Sequence, residues 1–578
     1  MLKQAPRRSV ERKQPDAAAA GEVRPAALRW QSFTTLGCGM LGSVLLWAAF
    51  PPLNLPWLAW LAPLPWLWLV RLPALSGWRP YLVLWLAGCV HWGLMLQGIR
   101  LAHPALYGGW IALSVYLAVY LPVFIGLTRV AVHRLKLPLI AIAPVVWVGL
   151  ELLRGYIATG FSNGLLAHTQ AEISLLIQVS DLAGGYTLSF VIMLVAACLL
   201  ESAVPSRSEP QAAVLRFHWR PLVILAAALA ATLGYGHWRL SQKPPGATGP
   251  TAKVALIQGS LDTVFDAPPG RKEQTYAQYL DLTAKATAAR KDLDLIVWPE
   301  SMFMDIDVVI EEPLALPSGS RYSLSDLRRQ IGYDQANFEQ VLTGVAQKAN
   351  TNTRPADRST LLVAGTNTWA FGSARPRMYN TALLANRDGR VLGRYYKTHP
   401  VMFGEYIPFG EMLPFLYRIT PLPGGLSIGD GPRVWDVAGL RMSPNICFES
   451  TIPHLVRGQL LELKRRGEPA DVIVNVSNDG WFWGSSILDL HFRSNVFRAV
   501  ENRKPLLVAA NTGISAWIDG SGQVRQQGHR RTPEILLADV QADGRVSLYH
   551  TIGDWPAWAC AAACIALACI GFRRQLAE

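Results

Sequence analysis

The sequence predicts a polytopic α-helical membrane bundle of about eight transmembrane helices, joined to an exported α/β sandwich domain. Of its 578 residues, 51% are hydrophobic and only 16% are charged, against roughly 25% charged in a soluble domain. The apolar residues form runs of about 20, the length that a bilayer requires. From residue 251 to residue 553, short β-branched segments alternate with helical ones instead. A wholly soluble enzyme and a disordered chain are therefore excluded.

Seven apolar runs precede residue 240, and an eighth lies near the C-terminus. The second run is rich in proline, which would kink a helix or make it re-entrant. Within the runs, His91, Gln97 and Asp181 are polar residues at or near membrane depth, which are usually functional or satisfied inside a bundle. The predicted runs are residues 33–50, 53–70, 81–98, 105–127, 138–153, 175–200, 221–238 and 556–572.

The distribution of lysine and arginine predicts the orientation of the bundle. With a cytoplasmic N-terminus, the short outside loops contain only Arg100 and Arg154, whereas seventeen basic residues lie inside, as the positive-inside rule requires. The formal net charge of +13 thus comes from the cytoplasmic loops and tails of a membrane protein, and nucleic-acid binding is not expected. The inside residues are Lys3, Arg7, Arg8, Arg12, Lys13, Arg24, Arg29, Arg71, Arg79, Arg129, Arg134, Lys136, Arg207, Arg216, Arg220, Arg573 and Arg574.

These features divide the chain into six segments. A removable signal peptide is disfavoured, because the small residues 17–20 precede the apolar run and more spans follow. The segments are a basic cytoplasmic tail (1–30), a seven-helix transmembrane domain (31–240), a Pro/Gly-rich linker (241–250), the exported domain (251–553), a C-terminal transmembrane helix (554–572) and a second cytoplasmic tail (573–578).

The exported domain is predicted to be a sandwich whose sheets are covered by helices, because continuous apolar strands alternate with helical segments. Helical spacing covers residues 271–290, 324–350 and 488–502. The predicted strands are residues 254–258, 293–298, 361–365, 381–386, 442–447, 472–476 and 505–510.

Cys447 is the single cysteine of the exported domain. It ends an apolar strand just before Phe448 and Glu449, where a chain reversal would expose a side chain and a backbone N–H together, as a nucleophile requires. A small buried hydrophobe is the alternative interpretation. No metal or other cofactor is expected, since no cysteine-based metal site can form there. The remaining cysteines lie in membrane runs: Cys38, Cys89, Cys198, Cys560, Cys564 and Cys569.

Two further charged residues follow strand-like segments. Pro299 stops one strand and places Glu300 at its C-terminal rim, where a carboxylate can act as general base toward a thiol. Lys397 follows another strand, in a loop that runs to residue 411, and a fixed ammonium beside the thiol would stabilise an oxyanion. A helix N-terminal charge is the alternative for Glu300, and a solvated cation is the alternative for Lys397.

Together these segments resemble the nitrilase superfamily, and the preceding spans make the whole chain similar to the bacterial apolipoprotein N-acyltransferase family. The resemblance rests on the motifs Trp-Pro-Glu300-Ser, Lys397 ahead of Phe-Gly-Glu405-Tyr-Ile-Pro-Phe, and Ile-Cys447-Phe-Glu449. Ser477-Asn-Asp479-Gly-Trp-Phe, Arg498-Ala-Val-Glu501-Asn and Ala510-Asn-Thr-Gly-Ile-Ser515 agree further. In the seven-helix transmembrane domain, Glu151-Leu-Leu-Arg154-Gly also resembles a family motif. The alternative interpretation is a helix end whose arginine snorkels to the membrane surface.

The resemblance implies a four-layer αββα sandwich with a Glu300–Lys397–Cys447 triad. Cys447 would take an acyl chain from a membrane phospholipid, with phosphatidylethanolamine as the expected donor. It would then pass the chain to the α-amine of a diacylglyceryl-cysteine at the N-terminus of an apolipoprotein. Phe448, Glu405 and Glu449 would hold the oxyanion or position the substrate. The implied location is the bacterial inner membrane, with the catalytic domain on the periplasmic face and both termini in the cytoplasm.

Two alternatives stay open at this stage. A membrane-tethered amidohydrolase of the same superfamily would use the same triad and resolve the thioester with water. A noncatalytic lipoprotein-binding module would keep the scaffold without the chemistry, although an intact triad argues against it. Four departures from the family pattern concern substrate positioning: Phe448 in place of tyrosine, Ser162-Asn163 in place of Pro-Trp, Gly480 in place of alanine, and Ser260–Phe265 in place of an Asn-x-Pro-Gln stretch.

Overall fold

A computed structural model describes residues 25–205, 215–264, 268–316, 323–351, 360–373, 375–410, 412–413, 415, 417 and 424–575. Most of the predicted N-terminal tail and the end of the C-terminal tail lie outside these residues. The helices before residue 250 are α1 (Pro25–Ala49), α2 (Pro63–Arg71), α3 (Arg79–Met95), α4 (Leu106–Ala118), α5 (Tyr120–Arg129), α6 (Leu139–Tyr156), α7 (Ser174–Ile177), α8 (Ser180–Ala183), α9 (Gly185–Ser202) and α10 (Trp219–Ser241).

Six helices in the described part of the chain are long and apolar enough to cross a membrane, so the predicted count of eight is approximate. The second apolar run divides into a 3₁₀ helix (Pro56–Trp60) and the nine-residue α2, as its prolines predict. The third run forms α3, whose 17 residues lie at the short end of spanning lengths. The six are Gln31–Ala49, Leu106–Arg134, Leu139–Thr159, Gly185–Ser202, Trp219–Thr248 and Trp555–Phe572.

The prediction of one helix over residues 175–200 is wrong in its first half. The chain forms two short helices, α7 and α8, and the spanning helix begins only at Gly185. Gly184 has a φ of +76°, a conformation that glycine adopts without strain and that ends a helix. This break leaves Asp181 buried at the edge of the bundle.

The domain of residues 251–553 is an αββα sandwich, as predicted. After the small hairpin β1 (Ala203–Pro205) and β2 (Leu215–Phe217), one sheet has the order β15-β3-β4-β6-β7-β8 with β5 beside β6, and the other has the order β14-β13-β12-β11-β10-β9. The strands are β3 (Thr251–Gln258), β4 (Leu295–Val297), β5 (Asp307–Ile310), β6 (Leu361–Phe371), β7 (Arg377–Ala385), β8 (Val391–Tyr396), β9 (Trp435–Val437), β10 (Leu440–Ile446), β11 (Val472–Ser477), β12 (Leu506–Ala510), β13 (Ala516–Ile518), β14 (Val524–Gln527) and β15 (Glu534–Gln541).

Successive side chains of each strand point to opposite faces of its sheet. One face packs against the other sheet and the opposite face packs against helices. Val297 of one sheet and Val474 of the other belong to the core between them. The outer face of the first sheet is covered by α11 (Arg271–Ala289) and α12 (Leu324–Ala349), and that of the second by α13 (Pro453–Arg465) and α14 (Ile487–Asn502). All seven predicted strands are present, whereas the sequence pattern did not indicate β5, β8, β9, β13, β14, β15 or α13.

The sandwich and the bundle share one hydrophobic core. Val496 and Phe497 of α14 lie in the same cluster of buried residues as Leu188 of α9 and Ala561 of the C-terminal helix. The chain returns to the bundle through α15 (Leu548–Ile552) and α16 (Trp555–Gln575). The fourth layer of the sandwich therefore rests directly on the transmembrane helices.

A buried ionic cluster around Asp181 joins the two parts. Its carboxylate accepts hydrogen bonds from Tyr235 (2.6 Å) and Arg239 (2.7 Å) of α10, and from Arg503 Nε (2.8 Å) at the C-terminal end of α14. The Asp181 carbonyl accepts one from Ser547 (3.2 Å). Arg503 and Asp181 are almost fully buried, so each charge depends on the other.

We expect Asp181→Ala to lower the free energy of unfolding by roughly 3–5 kcal/mol, because Arg239 and Arg503 would remain buried without an anion. Thermal unfolding of the purified protein in detergent measures the change. Arg329→Ala, which removes an exposed pair with Asp326, is the control and should cost at most about 1 kcal/mol. Equal shifts for the two variants would contradict the role of Asp181.

Candidate active site

Glu300, Lys397 and Cys447, predicted from separate motifs, converge where strands of both sheets end. Glu300 follows β4 and Lys397 follows β8 of one sheet, while Cys447 follows β10 of the other. Lys397 Nζ lies 3.3 Å from Glu300 Oε1 and 2.7 Å from Glu405 Oε1. Since Glu300 and Lys397 are buried, the site holds a compact cluster of charges between the sheets.

The position of Glu300 is fixed from three sides. Its Oε1 accepts a hydrogen bond from Asn380 Nδ2 (2.6 Å), and its Oε2 accepts one from the Asn478 backbone N–H (2.7 Å). Gly365 on β6 approaches so closely that a Cβ at this position would lie 2.4 Å from the Glu300 Cα. Any larger residue at position 365 would push the carboxylate out of place.

Lys397 keeps its charge despite its burial. Removal from water disfavours the ammonium, but the adjacent carboxylates of Glu300 and Glu405 outweigh this effect and raise the pKa of Lys397 well above its usual value. Glu405 is held in turn by Asn380 Nδ2 (3.1 Å) and by the Val401 backbone N–H (2.7 Å). The predicted loop residue Glu405 thus contacts the predicted cation directly.

Cys447 adopts a left-handed backbone conformation, with a φ of +52°. Such a conformation costs energy in a residue with a side chain and is common at functional sites. Cys447 also begins a 3₁₀ helix (Cys447–Thr451), whose first N–H groups, including that of Phe448, have no acceptor within the helix. The Cys447 side chain and these N–H groups therefore lie at the same turn.

The surroundings of Cys447 disfavour a thiolate. Burial raises the pKa of Cys447 well above its usual value, the negative charge of Glu300 raises it further, and Lys397 offsets this effect only in part. A reaction through this sulfur would therefore require a neighbouring base to take the proton. Glu300 is the carboxylate that acts most strongly on this thiol.

Glu449 is completely buried and holds the loop that follows Lys397. Its Oε1 accepts hydrogen bonds from the N–H groups of Thr398 (2.7 Å) and His399 (3.1 Å), and its Oε2 accepts one from the Ile446 N–H (2.7 Å). The Tyr395 hydroxyl lies 2.8 Å from both oxygens. Glu449 thus ties β10, which leads to Cys447, to the segment after β8 that contains Lys397.

Asn380 and His491 are site residues that the sequence reasoning missed. Asn380 lies within the apolar strand β7, and its amide is shared by Glu300 and Glu405. His491 lies on α14 beneath Cys447. The only sequence signal is a polar residue at a core position, which does not reveal its distant partners.

The Glu151–Arg154 pair shapes the loop that follows α6. Arg154 is 6% exposed and donates to the carbonyls of Asn163 (3.3 Å) and Gly164 (3.2 Å), while Glu151 accepts from the Leu166 N–H (2.7 Å). The snorkelling alternative is therefore wrong, because the guanidinium points inward. Among the described residues, no group of His, Cys, Asp and Glu side chains has the arrangement of a metal site.

Two family profiles match the chain: apolipoprotein N-acyltransferase N-terminal domain over residues 42–198, and carbon-nitrogen hydrolase over residues 253–548. The apolipoprotein N-acyltransferase of Rhodopirellula baltica is 33% identical over 89% of this chain and 93% of its own length. That of Geobacter metallireducens is 32% identical over 93% of this chain and 95% of its own length. The chain belongs to the apolipoprotein N-acyltransferase family.

The two profiles of the apolipoprotein N-acyltransferase family divide the chain as the fold does. The first ends within α9 of the bundle, and the second begins in β3 and ends at the start of α15. A crystal structure of an amidase from Nesterenkonia sp. is also similar, at 19% identity and a TM-score of 0.33, over 52% of this chain and 94% of that chain. The family resemblance expected from the motifs is confirmed.

We expect Glu449→Gln to destabilise the protein by about 1–3 kcal/mol, because an amide N–H would face groups that are themselves donors. The measurement is thermal unfolding in detergent. Glu462→Gln, on the solvent-facing side of α13 in an exposed pair with Arg466, serves as the matched control and should change stability little. A Glu449→Gln protein as stable as this control would contradict the bracing role.

Proposed function

We propose that the protein transfers an acyl chain from a membrane phospholipid, through a Cys447 thioester, to the N-terminal amine of a diacylated apolipoprotein. The observation that carries the proposal is the contact of Lys397 with Glu300 beside the strained Cys447, in a domain whose helical layer belongs to the core of the bundle. Membership of the apolipoprotein N-acyltransferase family supports lipoprotein N-acylation. Phosphatidylethanolamine is the expected donor.

In the first half-reaction, Glu300 accepts the thiol proton as the Cys447 sulfur attacks the ester carbonyl carbon of the phospholipid. Lys397 and the Phe448 N–H stabilise the oxyanion of the tetrahedral intermediate. The carbon–oxygen bond then breaks, and the lysophospholipid leaves with the proton from Glu300. An acyl thioester remains on Cys447.

In the second half-reaction, the α-amine of the diacylglyceryl-cysteine attacks the thioester. Glu300 takes a proton from the amine nitrogen and returns it to the sulfur as the carbon–sulfur bond breaks. The products are an amide-linked acyl chain and the free thiol. Both substrates lie in the lipid, which accounts for a site built directly on transmembrane helices.

A membrane-tethered amidohydrolase is the competing function, since water could resolve the same thioester. Release of free fatty acid in place of an N-acyl peptide would identify it. A noncatalytic lipoprotein-binding module would give neither product. The bundle favours transfer, because a soluble amide substrate would need no access from the membrane.

The thioester is tested by separating the two half-reactions. Phospholipid alone should load the purified protein with one acyl group, and a lipopeptide amine added later should unload it, which gives ping-pong kinetics. Mass spectrometry of the loaded protein should locate the label on Cys447. Vesicles of phosphatidylethanolamine and of phosphatidylglycerol, compared as donors, test the expected head group.

Variants of Cys447 and Lys397 provide the controls for this experiment. Cys447→Ala should form no adduct, and Lys397→Ala should form none at a measurable rate if its ammonium holds the oxyanion. Neutral hydroxylamine should strip the label, because it cleaves thioesters faster than oxygen esters. Full activity of Cys447→Ala, or a label on another residue, would overturn the mechanism.

We also propose that the sandwich faces the periplasm and that both termini are cytoplasmic, because the basic residues are concentrated on one side. A membrane-impermeant thiol probe applied to intact spheroplasts should label a cysteine introduced at exposed Asp436 and miss one introduced at position 10. Labelling at position 10 under conditions that keep the membrane sealed would refute this orientation.

A further inference from the structure

His399 is a histidine beside the site that the proposed mechanism leaves unused. It follows Lys397 by two residues, and its backbone N–H donates to Glu449 Oε1 (3.1 Å). Its ring is stacked on the ring of Phe448, with the centroids 6.2 Å apart and the planes inclined by 27°. Since Phe448 directly follows Cys447, the imidazole lies beside the turn that carries the proposed nucleophile.

The same ring contacts the membrane bundle. One of its nitrogens is hydrogen-bonded to the backbone of Thr159, in the turn that follows α6. Ala158 and Thr159 of this turn have φ values of +53° and +68°, and the Thr159 side chain is exposed. Both proposed substrates arrive from the lipid, so His399 lies between the bundle and Cys447, where an arriving substrate must pass.

The contacts of the ring leave one nitrogen lone pair unused. The hydrogen bond to Thr159 favours the protonated ring, so the Thr159 carbonyl accepts and a ring N–H donates. A neutral imidazole has one N–H and one lone pair. Nε2 is buried and has no hydrogen-bond partner among the residues that the structure describes. Buried polar atoms are rarely left in this state, and a substrate N–H would supply the missing bond.

The surrounding groups keep the ring neutral. Burial lowers the pKa of His399 below its usual value and Lys397 lowers it further, while the Thr159 carbonyl and Glu405 offset these effects only in part. The neighbouring His454 on α13 adds no charge near neutral pH, because burial lowers its pKa to about 4. His399 therefore keeps its lone pair at the pH at which an amine must react.

The second half-reaction contains a proton that the proposed mechanism does not assign. A free α-amine has a pKa of about 8, so at pH 7 roughly nine-tenths of it is ammonium, which has no lone pair for attack. The ammonium must lose one proton before it attacks and another as the amide forms. Glu300 passes the second proton to the sulfur. The first proton requires a separate acceptor.

We propose that His399 is a catalytic residue of the second half-reaction, whose unused nitrogen binds the incoming ammonium and removes its first proton. One N–H bond of the ammonium breaks, and its electron pair becomes the lone pair that attacks the thioester. The proton moves to the imidazole and from there to water. This inference rests on the proposed function and adds the group that recognises its second substrate, a primary amine that arrives protonated.

The test follows the second half-reaction alone. Full-length protein in detergent is loaded with labelled acyl chains from phosphatidylethanolamine, then mixed with a diacylated lipopeptide, and loss of the Cys447 label is measured across pH. His399→Gln keeps an N–H for the Thr159 carbonyl but cannot take a proton. It should load like the wild type but unload about tenfold more slowly at pH 7, when only about a tenth of the amine is neutral. The difference should vanish above about pH 9, where the free amine has already lost this proton.

Hydroxylamine provides the matched control nucleophile. It is already neutral at pH 7, so it should unload His399→Gln as fast as the wild type. His529→Gln, which changes an exposed histidine paired with Glu534, should match the wild type with both nucleophiles. Wild-type unloading of His399→Gln by the lipopeptide at pH 7 would overturn the proposal. Equal slowing with hydroxylamine, or at every pH, would overturn it as well, since a misplaced thioester alone gives that result.

A second variant guards against a folding defect. His399→Asn also offers an amide N–H to Thr159, and it repeats the measurement if His399→Gln takes no label. Loss of loading in both variants would contradict the proposal, because His399 would then act before the amine arrives. A wild-type protein that takes no label refutes the proposed function and this inference with it. A wild type that loads and unloads, with variants that do so equally fast, refutes the inference alone.

Discussion

The buried positive charge of Lys397 is the constraint on which the arrangement of the sandwich depends. An ammonium removed from water costs several kcal/mol unless anions and hydrogen bonds replace its hydration. Glu300 supplies one anion from the rim of the same sheet, and Glu405 supplies another from the loop. Asn380 crosslinks the two carboxylates. These contacts hold the ends of β4, β7 and β8 together and keep Glu300 and Lys397 near Cys447.

The sequence predicts the parts of the site that follow recognisable strands. Glu300 and Cys447 each end an apolar segment, and such residues meet because the two sheets bring their strand ends together. Glu405 is predicted through its motif, although its direct contact with Lys397 is not. Asn380 and His491 could not be predicted, because each lies inside a regular element and its importance comes from partners far along the chain.

The same distinction applies to the membrane part. Length and composition locate the spans, and the prolines of the second run indicate its break. The break before Gly185 is less visible, since residues 175–200 are apolar enough for one helix. It becomes understandable only through Asp181, whose arginine partners lie on α10 and at the end of α14. A tertiary ion pair here overrides a local preference.

Helix α14 has no free surface: 14 of its 16 residues are buried, against a sheet on one side and the membrane helices on the other. A helix enclosed in this way cannot form its full set of contacts before both neighbours exist. During biogenesis, the bundle must therefore be inserted before the sandwich can acquire its fourth layer. Since α14 also carries His491, the thiol reaches its final environment only in a membrane-assembled protein.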